Sequence, residues 1–428
     1  MKRFYFLLAL LCFSGTTMFA QYQINYWENG KKKEEGKLIN GQADSIWTYY
    51  HANGNKSSQG TYRMGVKTGL WQSWHYNGSP ATFMDYNSGN FKSLYKDGGI
   101  ECEGIVKNDI REGHWTFYHP NGKLSKRCNY LHDSLDGKCE EFYDNGIKAF
   151  EGIYRNNALI GLGTWWYENG KIEMQGYSKD GLQDSVWNFY YSNGQLGSTG
   201  WFRNGKQEDR WVYYYETGEK WKEGNFVNGN REGKWTAWFE DGKVQREGSF
   251  KHNKEDGLWI SWYANGRKED VGFFQEGAMC MEWNGWHENG NRRYTANYVN
   301  NQKHGNYVYY WENGVVNQRG SFKKGMRTNK WEYFSQNGNP LESGTYKNDK
   351  KNGTWNFYGQ HGNLIRTQAF KNDLPDGKWV EYTPQGEKLA EGSYKKAVKN
   401  GTWTYYDKGA VHYQVTYKNG LKTEQNAK

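Results

Sequence analysis

The chain has 428 residues, enough for two or three ordinary domains, yet only 36% of it is hydrophobic and its mean hydropathy is −1.08. With 22 Trp, 35 Tyr and 54 Gly, it is neither a disordered chain, which would lack aromatics, nor a set of thick aliphatic cores; rings suit pleated sheet surfaces. The formal charge of +9 is interspersed rather than gathered in a basic block, which argues against nucleic acid as the main partner.

Residues 1–20 read as a secretory signal peptide. Lys2 and Arg3 precede an apolar run from Phe4 to Phe13, and small and polar residues then lead to cleavage after Ala20. The run is too short to span a bilayer comfortably, and no later segment could cross one. Cys12 follows Leu11 rather than the small residue that a lipidation site requires. Cleavage removes two of the 56 basic residues and none of the 47 acidic ones, leaving +7. Cys102, Cys128, Cys139 and Cys280 remain; their spacings match no zinc pattern, and export would permit oxidation.

From about Tyr22 to Lys422 the chain is a repeat array, followed by a short polar tail over residues 423–428. A landmark Gly, preceded by Asn at eleven places and by Asp at two, recurs 17 times between Gly30 and Gly409. From Gly122 to Gly386 the spacing is 24 residues throughout. Seven residues before the landmark stands Trp, as at Trp47, Trp71, Trp115, Trp235 and Trp355, and a second ring follows three residues later. Asn-Gly tolerates positive φ at both turn positions, so the landmark is expected to be a two-residue hairpin turn. Six residues after the landmark comes a second Gly and eight after it a Tyr or Phe; a polar loop such as "KNDKKNG" then leads to the next Trp. Each unit is thus two short antiparallel strands and two turns. Gly recurs too often, and without a 3.6-residue stripe, for helix. The expected fold is all-β: an elongated, twisted, single-layer antiparallel sheet of about 17 stacked ~24-residue hairpins, with aromatic ladders on both faces.

The units "SGTYKNDKKNGTWNFYGQHGN", Ser343 to Asn363, and "EGSYKKAVKNGTWTYYDKG", Glu391 to Gly409, resemble the MORN repeat, in the bacterial variant known from antitoxin components of toxin–antitoxin pairs. The resemblance covers nearly the whole chain after the leader. It implies a stacked-hairpin sheet used for protein binding and scaffolding, and an antitoxin-like neutraliser of a partner toxin as an alternative role. An export signal sits badly with a neutraliser of a cytoplasmic toxin. Cys139, Gly163 and Tyr307 stand where the Trp is expected, and Phe91 does so in a unit four residues short.

No phosphate loop or HExxH motif occurs, and the chain is expected to be no enzyme and to hold no cofactor or metal. His51, His75, His119 and His287 share the place three before the landmark and read as solvated turn residues. The acidic pairs Glu34-Glu35 and Glu255-Asp256 read as solvated loop charge. Cys128 and Cys139 occupy the Gly and Trp places on two arms of one hairpin and are the candidate disulfide. In three consecutive units the residue five before the landmark is small (Ala237, Ser261, Gly285) and the second ring is Trp. Trp238, Trp262 and Trp286 would then line up ~10 Å apart, two strand spacings, as a candidate partner-binding row. The expectation is an exported repeat scaffold at the periplasm or cell surface that binds a protein partner. The alternative is a carbohydrate or cell-wall glycan binder, which the aromatic density and "W-x-Y-Y" strands such as Trp47 to Tyr50 suggest.

Overall fold

A computed structural model of the chain describes residues 19–427, so the leader expected over residues 1–20 lies almost wholly outside the described residues. Those residues contain 36 β-strands and no helix, hence none long and apolar enough to cross a membrane. The chain divides into two compact units on either side of the Glu208–Asp209 bond. Within each, strands pair antiparallel with their neighbours in sequence. Lys32–Ile39 pairs with Gln42–Tyr50 in the first unit, and Pro340–Lys347 with Lys350–Tyr358 in the second. Each unit is an open meander of stacked hairpins, in which no hairpin buries its rings alone.

The two turns exchange the roles expected of them. At the landmark, Trp27 N donates to Lys31 O (2.8 Å), Gly30 N donates to Trp27 O (2.9 Å), and only the Gly has positive φ (+81°). This is the three-residue hairpin loop, a type I turn closed by a left-handed Gly, and not the two-residue turn, whereas the last landmark keeps the expected form, with Lys408 (+47°) and Gly409 (+80°) between the paired Asp407 and Ala410. The Asn keeps an ordinary φ because its side chain has two other tasks. Asn29 Oδ1 accepts from Lys31 N within its own turn, and Asn29 Nδ2 donates to Ala52 O in the next (2.8 Å). The same stitch recurs from Asn145 to Glu168 and from Asn289 to Glu312. The two-residue turn with positive φ at both positions lies instead in the polar loop, as at Asn348 (+52°) and Asp349 (+66°) between the paired Lys347 and Lys350. Lys396 (+51°) and Ala397 (+71°) hold the same conformation without a residue suited to it. Ala397→Gly is therefore expected to stabilise the protein by about 1 kcal/mol in urea unfolding, by relieving left-handed strain at a residue with a Cβ.

After the polar turn each Trp strand carries a bulge. Ser343 pairs with Asn356 and Thr345 with Asn352, so Gly353 to Trp355 stand opposite the one residue Gly344. Gly353 takes φ +76° there, and the bulge lays the Trp355 ring flat on Gly344, where any Cβ would overlap it. The broken ladder leaves Thr345 O in need of a donor, and the Trp355 indole N–H supplies it at 3.1 Å. Trp47, Trp71, Trp115, Trp187 and Trp259 donate in the same way to the carbonyl ten residues earlier. Trp355 is 0% exposed. The ring eight after each landmark then stands edge-on to two Trp at once: Tyr346 lies 6.1 Å from Trp331 and 4.9 Å from Trp355. Such ring pairs each contribute about 0.5–1.5 kcal/mol beyond their buried area, which explains a stable sheet with few aliphatic residues.

Where the Trp or its Gly seat changes, the contact between them is rebuilt. Ala296, fully buried, meets the smaller Tyr307. Gln368 fills the seat itself, and Trp379 moves out to a half-buried position 4.9 Å from the Trp403 ring. Gly163 leaves a gap that Phe150, Leu159 and Trp165 occupy. Cys128 and Cys139, both buried, pair across their two strands and are joined by a disulfide inside a cluster with Trp115, Tyr130 and Phe150.

Three further expectations need correction. Residues 423–427, read as a polar tail, belong to the strand Leu421–Ala427, because the edge of Ala410–Lys418 offers a ladder that needs no apolar side chains. The four His are half-buried rather than solvated. Their Nε2 atoms meet carbonyls of the next hairpin, as His51 does Trp74 O at 2.9 Å and His119 does Phe142 O at 2.8 Å. A carbonyl only accepts, so Nε2 carries the proton, and Tyr143, Tyr167 and Tyr263 make the same link through their hydroxyls. Glu34 and Glu35 lie in a strand, and Tyr50 Oη (2.5 Å) and Lys32 Nζ (2.8 Å) both donate to Glu35.

The most enclosed carboxylate is Glu140, 4% exposed, which receives Arg127 (2.5 Å), Lys148 (2.8 Å) and Lys138 (3.3 Å). Burial opposes its charge, but the three cationic donors outweigh burial and hold the carboxyl at about 2. A carboxyl held below its unfolded value of 4.5 stabilises the fold fully above that pH and loses the effect as pH falls toward 2. Glu140→Gln is expected to cost roughly 2–3 kcal/mol at pH 7 and to flatten the acid limb of stability between those two values, as read by denaturant unfolding at stepped pH.

Candidate binding site

Trp238, Trp262 and Trp286 end the strands Asn230–Trp238, Gly257–Trp262 and Ala278–Trp286, opposite Val244, Lys268 and Arg292. All three are half-buried. Lys220 Nζ lies 4.9 Å from the Trp238 ring, and the Arg292 guanidinium 5.3 Å from Trp286. The row exists in register, but cations already cover two of its three rings. In other units a Tyr takes this place and donates to a Glu, as Tyr118 does to Glu103 at 2.8 Å. A Trp cannot do so there, and Glu223 instead receives Arg210 (2.7 Å) and Lys220 (2.9 Å).

The opposite face carries the greater departure from the repeat. Ala237 pairs with Lys222 on one side and Arg246 on the other; Ser261 pairs with Arg246 and with Asp270; Gly285 pairs with Asp270 and Tyr294. Three small residues therefore make room for three charged ones in a single row on the Trp face. At Gly285 the room is filled, because the Tyr294 ring lies over it and Tyr294 Oη donates to Asp270 Oδ1 at 2.7 Å. Arg293 closes this end with two bonds of 3.0 Å to the same carboxylate. At Ala237 the room stays open, as a cavity of about 390 Å³. Its floor is Phe226, Trp235, Phe250 and Trp259, and Lys222, Arg231 and Arg246 stand around it.

Sequence reasoning found the small residues but not the charged ones. The signal was available: four residues after the landmark, Lys222, Arg246 and Asp270 appear in the hairpins whose next Trp strand carries Ala237, Ser261 and Gly285. Cys102, another cysteine of the chain, is half-buried with Sγ 3.1 Å from Ser93 Oγ, and burial raises its thiol pKa.

Comparison with known proteins adds the following. Seven segments match the family described as MORN repeat variant: residues 43–64, 111–132, 135–156, 159–180, 231–252, 303–324 and 327–348. Each takes in the strand before a landmark, the landmark turn and the returning strand; 135–156, 159–180 and 303–324 do so with Cys139, Gly163 and Tyr307 at the Trp place. No curated protein matches significantly. Among solved structures, TcdB2-TccC3 is similar at 10% identity and a TM-score of 0.15, over 95% of this chain and 25% of that one. The Tc holotoxin pore of Photorhabdus luminescens is similar at 11% identity and 0.15, over 92% and 23%. An alternansucrase in complex with isomaltononaose reaches 15% identity and 0.17, over 69% and 18%. The chain spans about a quarter of the length of the first of these, and likenesses at such scores carry no argument about fold or function.

Proposed function

We propose that this chain, whose seven matched segments support a MORN-repeat protein, is a non-catalytic binding scaffold that takes a protein partner on its sheet surface. The observation that carries the reading is the division of labour within each hairpin. The Trp, its Gly seat and the edge-on ring repeat in most units and hold the sheet, while the residues four after and five before the landmark vary without breaking it. A surface free to vary on a constant frame is the usual basis of recognition by repeat arrays. The leader at residues 1–20 supports export to the periplasm or cell surface. Glycan binding is the competing reading; the cations over Trp238 and Trp286 weigh against it, because they occupy the ring faces a sugar would stack on. No comparison lends weight to the antitoxin role.

Cross-linking in the native host followed by mass spectrometry tests the proposal. One or a few proteins linked to Trp-face positions would support it. Retention of the purified chain on insoluble peptidoglycan, released by free sugar and unaccompanied by protein cross-links, would refute it in favour of the glycan reading.

A further inference from the structure

The open groove at Ala237 has an excess of positive charge. Arg231 lies with its guanidinium carbon 3.9 Å from the Phe250 ring centre, and Arg246 with its own 4.1 Å from Trp259. Lys222 Nζ is 4.7 Å from Tyr213. The carboxylates nearby are mostly committed elsewhere: Glu223 to Arg210 and Lys220, Glu247 to Lys234 at 2.8 Å. Glu255 approaches Arg246 only at 3.9 Å, and Arg231 spends one donor on a backbone carbonyl, Asn253 O, at 3.3 Å. Burial pushes the Lys222 ammonium below its usual range, and the charge of Arg231 adds to the effect. Burial likewise lowers the Arg246 guanidinium, with Glu255 only partly restoring it. Three cations thus face one distant carboxylate over an aromatic floor.

A small −5 residue does not by itself bring this charge. In the first unit, a groove of about 340 Å³ beside Ser73 is walled by Ser58 and Thr82, with Lys67 over the Trp71 ring at 4.6 Å. The charge at Ala237 is therefore a property of that groove and not of the repeat.

We propose that the Ala237 groove binds carboxylates of an acidic segment of a protein partner, with Lys222, Arg231 and Arg246 as the charge-reading residues. The proposal deepens the scaffold reading and rests on it. Guanidinium groups match carboxylates in shape as well as charge, and partial burial strengthens each such bond. A protein segment fits better than an acidic glycan. Phe250 and Trp259 are turned edge-on to each other at 84°, and their faces are covered by Arg231 and Arg246, so no open ring plane is left for a pyranose.

The test is fluorescence anisotropy of a labelled short peptide alternating Glu and Leu, titrated with the full chain, beside the same peptide with Gln for Glu. Saturable binding of the Glu peptide alone is expected, weakening as salt is raised. Arg246→Gln and Lys222→Gln should each weaken it about tenfold or more. Ala237→Phe, which installs the ring other hairpins carry, should abolish it with all three cations in place, whereas Lys67→Gln in the first unit should leave it unchanged. Absence of binding, binding indifferent to Arg246→Gln and Ala237→Phe, or preference for an oligogalacturonate probe would each overturn the assignment. The scaffold reading would survive such a failure if host cross-links fell elsewhere on the array.

Discussion

Gly344→Val is expected to destabilise the protein by about 3 kcal/mol, at the upper end of core overpacking, although it adds apolar area. The new branches would occupy the space of the Trp355 ring, which can neither slide along its bulged strand nor leave without stranding Thr345 O. Trp355→Ala is expected to cost a similar or larger amount, about 4 kcal/mol, by emptying the same seat. The informative variant is the double one, Gly344→Ala with Trp355→Tyr, because the chain already holds that pair at Ala296 and Tyr307. If seat and ring are matched in size, the double variant is more stable than the two single costs predict, by roughly 1–2 kcal/mol in a double-mutant cycle. Strict additivity would show that the two residues do not act as a pair.

The second large effect concerns the hairpin with a cysteine at the Trp place and another at its seat. Reduction of the Cys128–Cys139 bridge is expected to cost about 3 kcal/mol, the loop-closure value for a bridge over so short a segment. The two sulfurs also stand in for an indole in the packing of Trp115, Tyr130 and Phe150. Denaturant unfolding with and without reductant measures the difference. The Cys128→Ser, Cys139→Ser variant should match the reduced protein and ignore reductant. Equal stability in all four samples would leave the bridge without a structural role.

The strands and their period were legible because the landmark Gly marks every unit, and the Trp most of them, in plain sequence. The turns were less so. Asn-Gly suits both a two-residue turn and a type I turn closed by Gly, and only the stagger of the paired strands decides between them. Gly at six after the landmark was visible as a recurrence, but its purpose depends on which ring lies over it in the next strand, a fact of register. The paired changes at Cys128 and Cys139 and at Ala296 and Tyr307 are the trace that register leaves in the sequence. The His at three before the landmark misled for the same reason: a position beside a turn looks solvated until the next hairpin stacks upon it. For the candidate site, Ala237, Ser261 and Gly285 were singled out, but attention fell on the Trp of the opposite face. Cross-strand pairing, not spacing along the chain, joins the small residues to Lys222, Arg246 and Asp270.

The claim beneath all of this is that each hairpin is held by the rings and seats of the hairpins beside it. Hydrogen exchange with mass spectrometry on Gly344→Val, against the parent, tests it most directly. Lost protection should centre on the strands from Met326–Phe334 to Leu364–Lys371 and fade with distance, leaving Lys220–Val227 as protected as before. Protection lost evenly across residues 209–428, or lost nowhere, would contradict it.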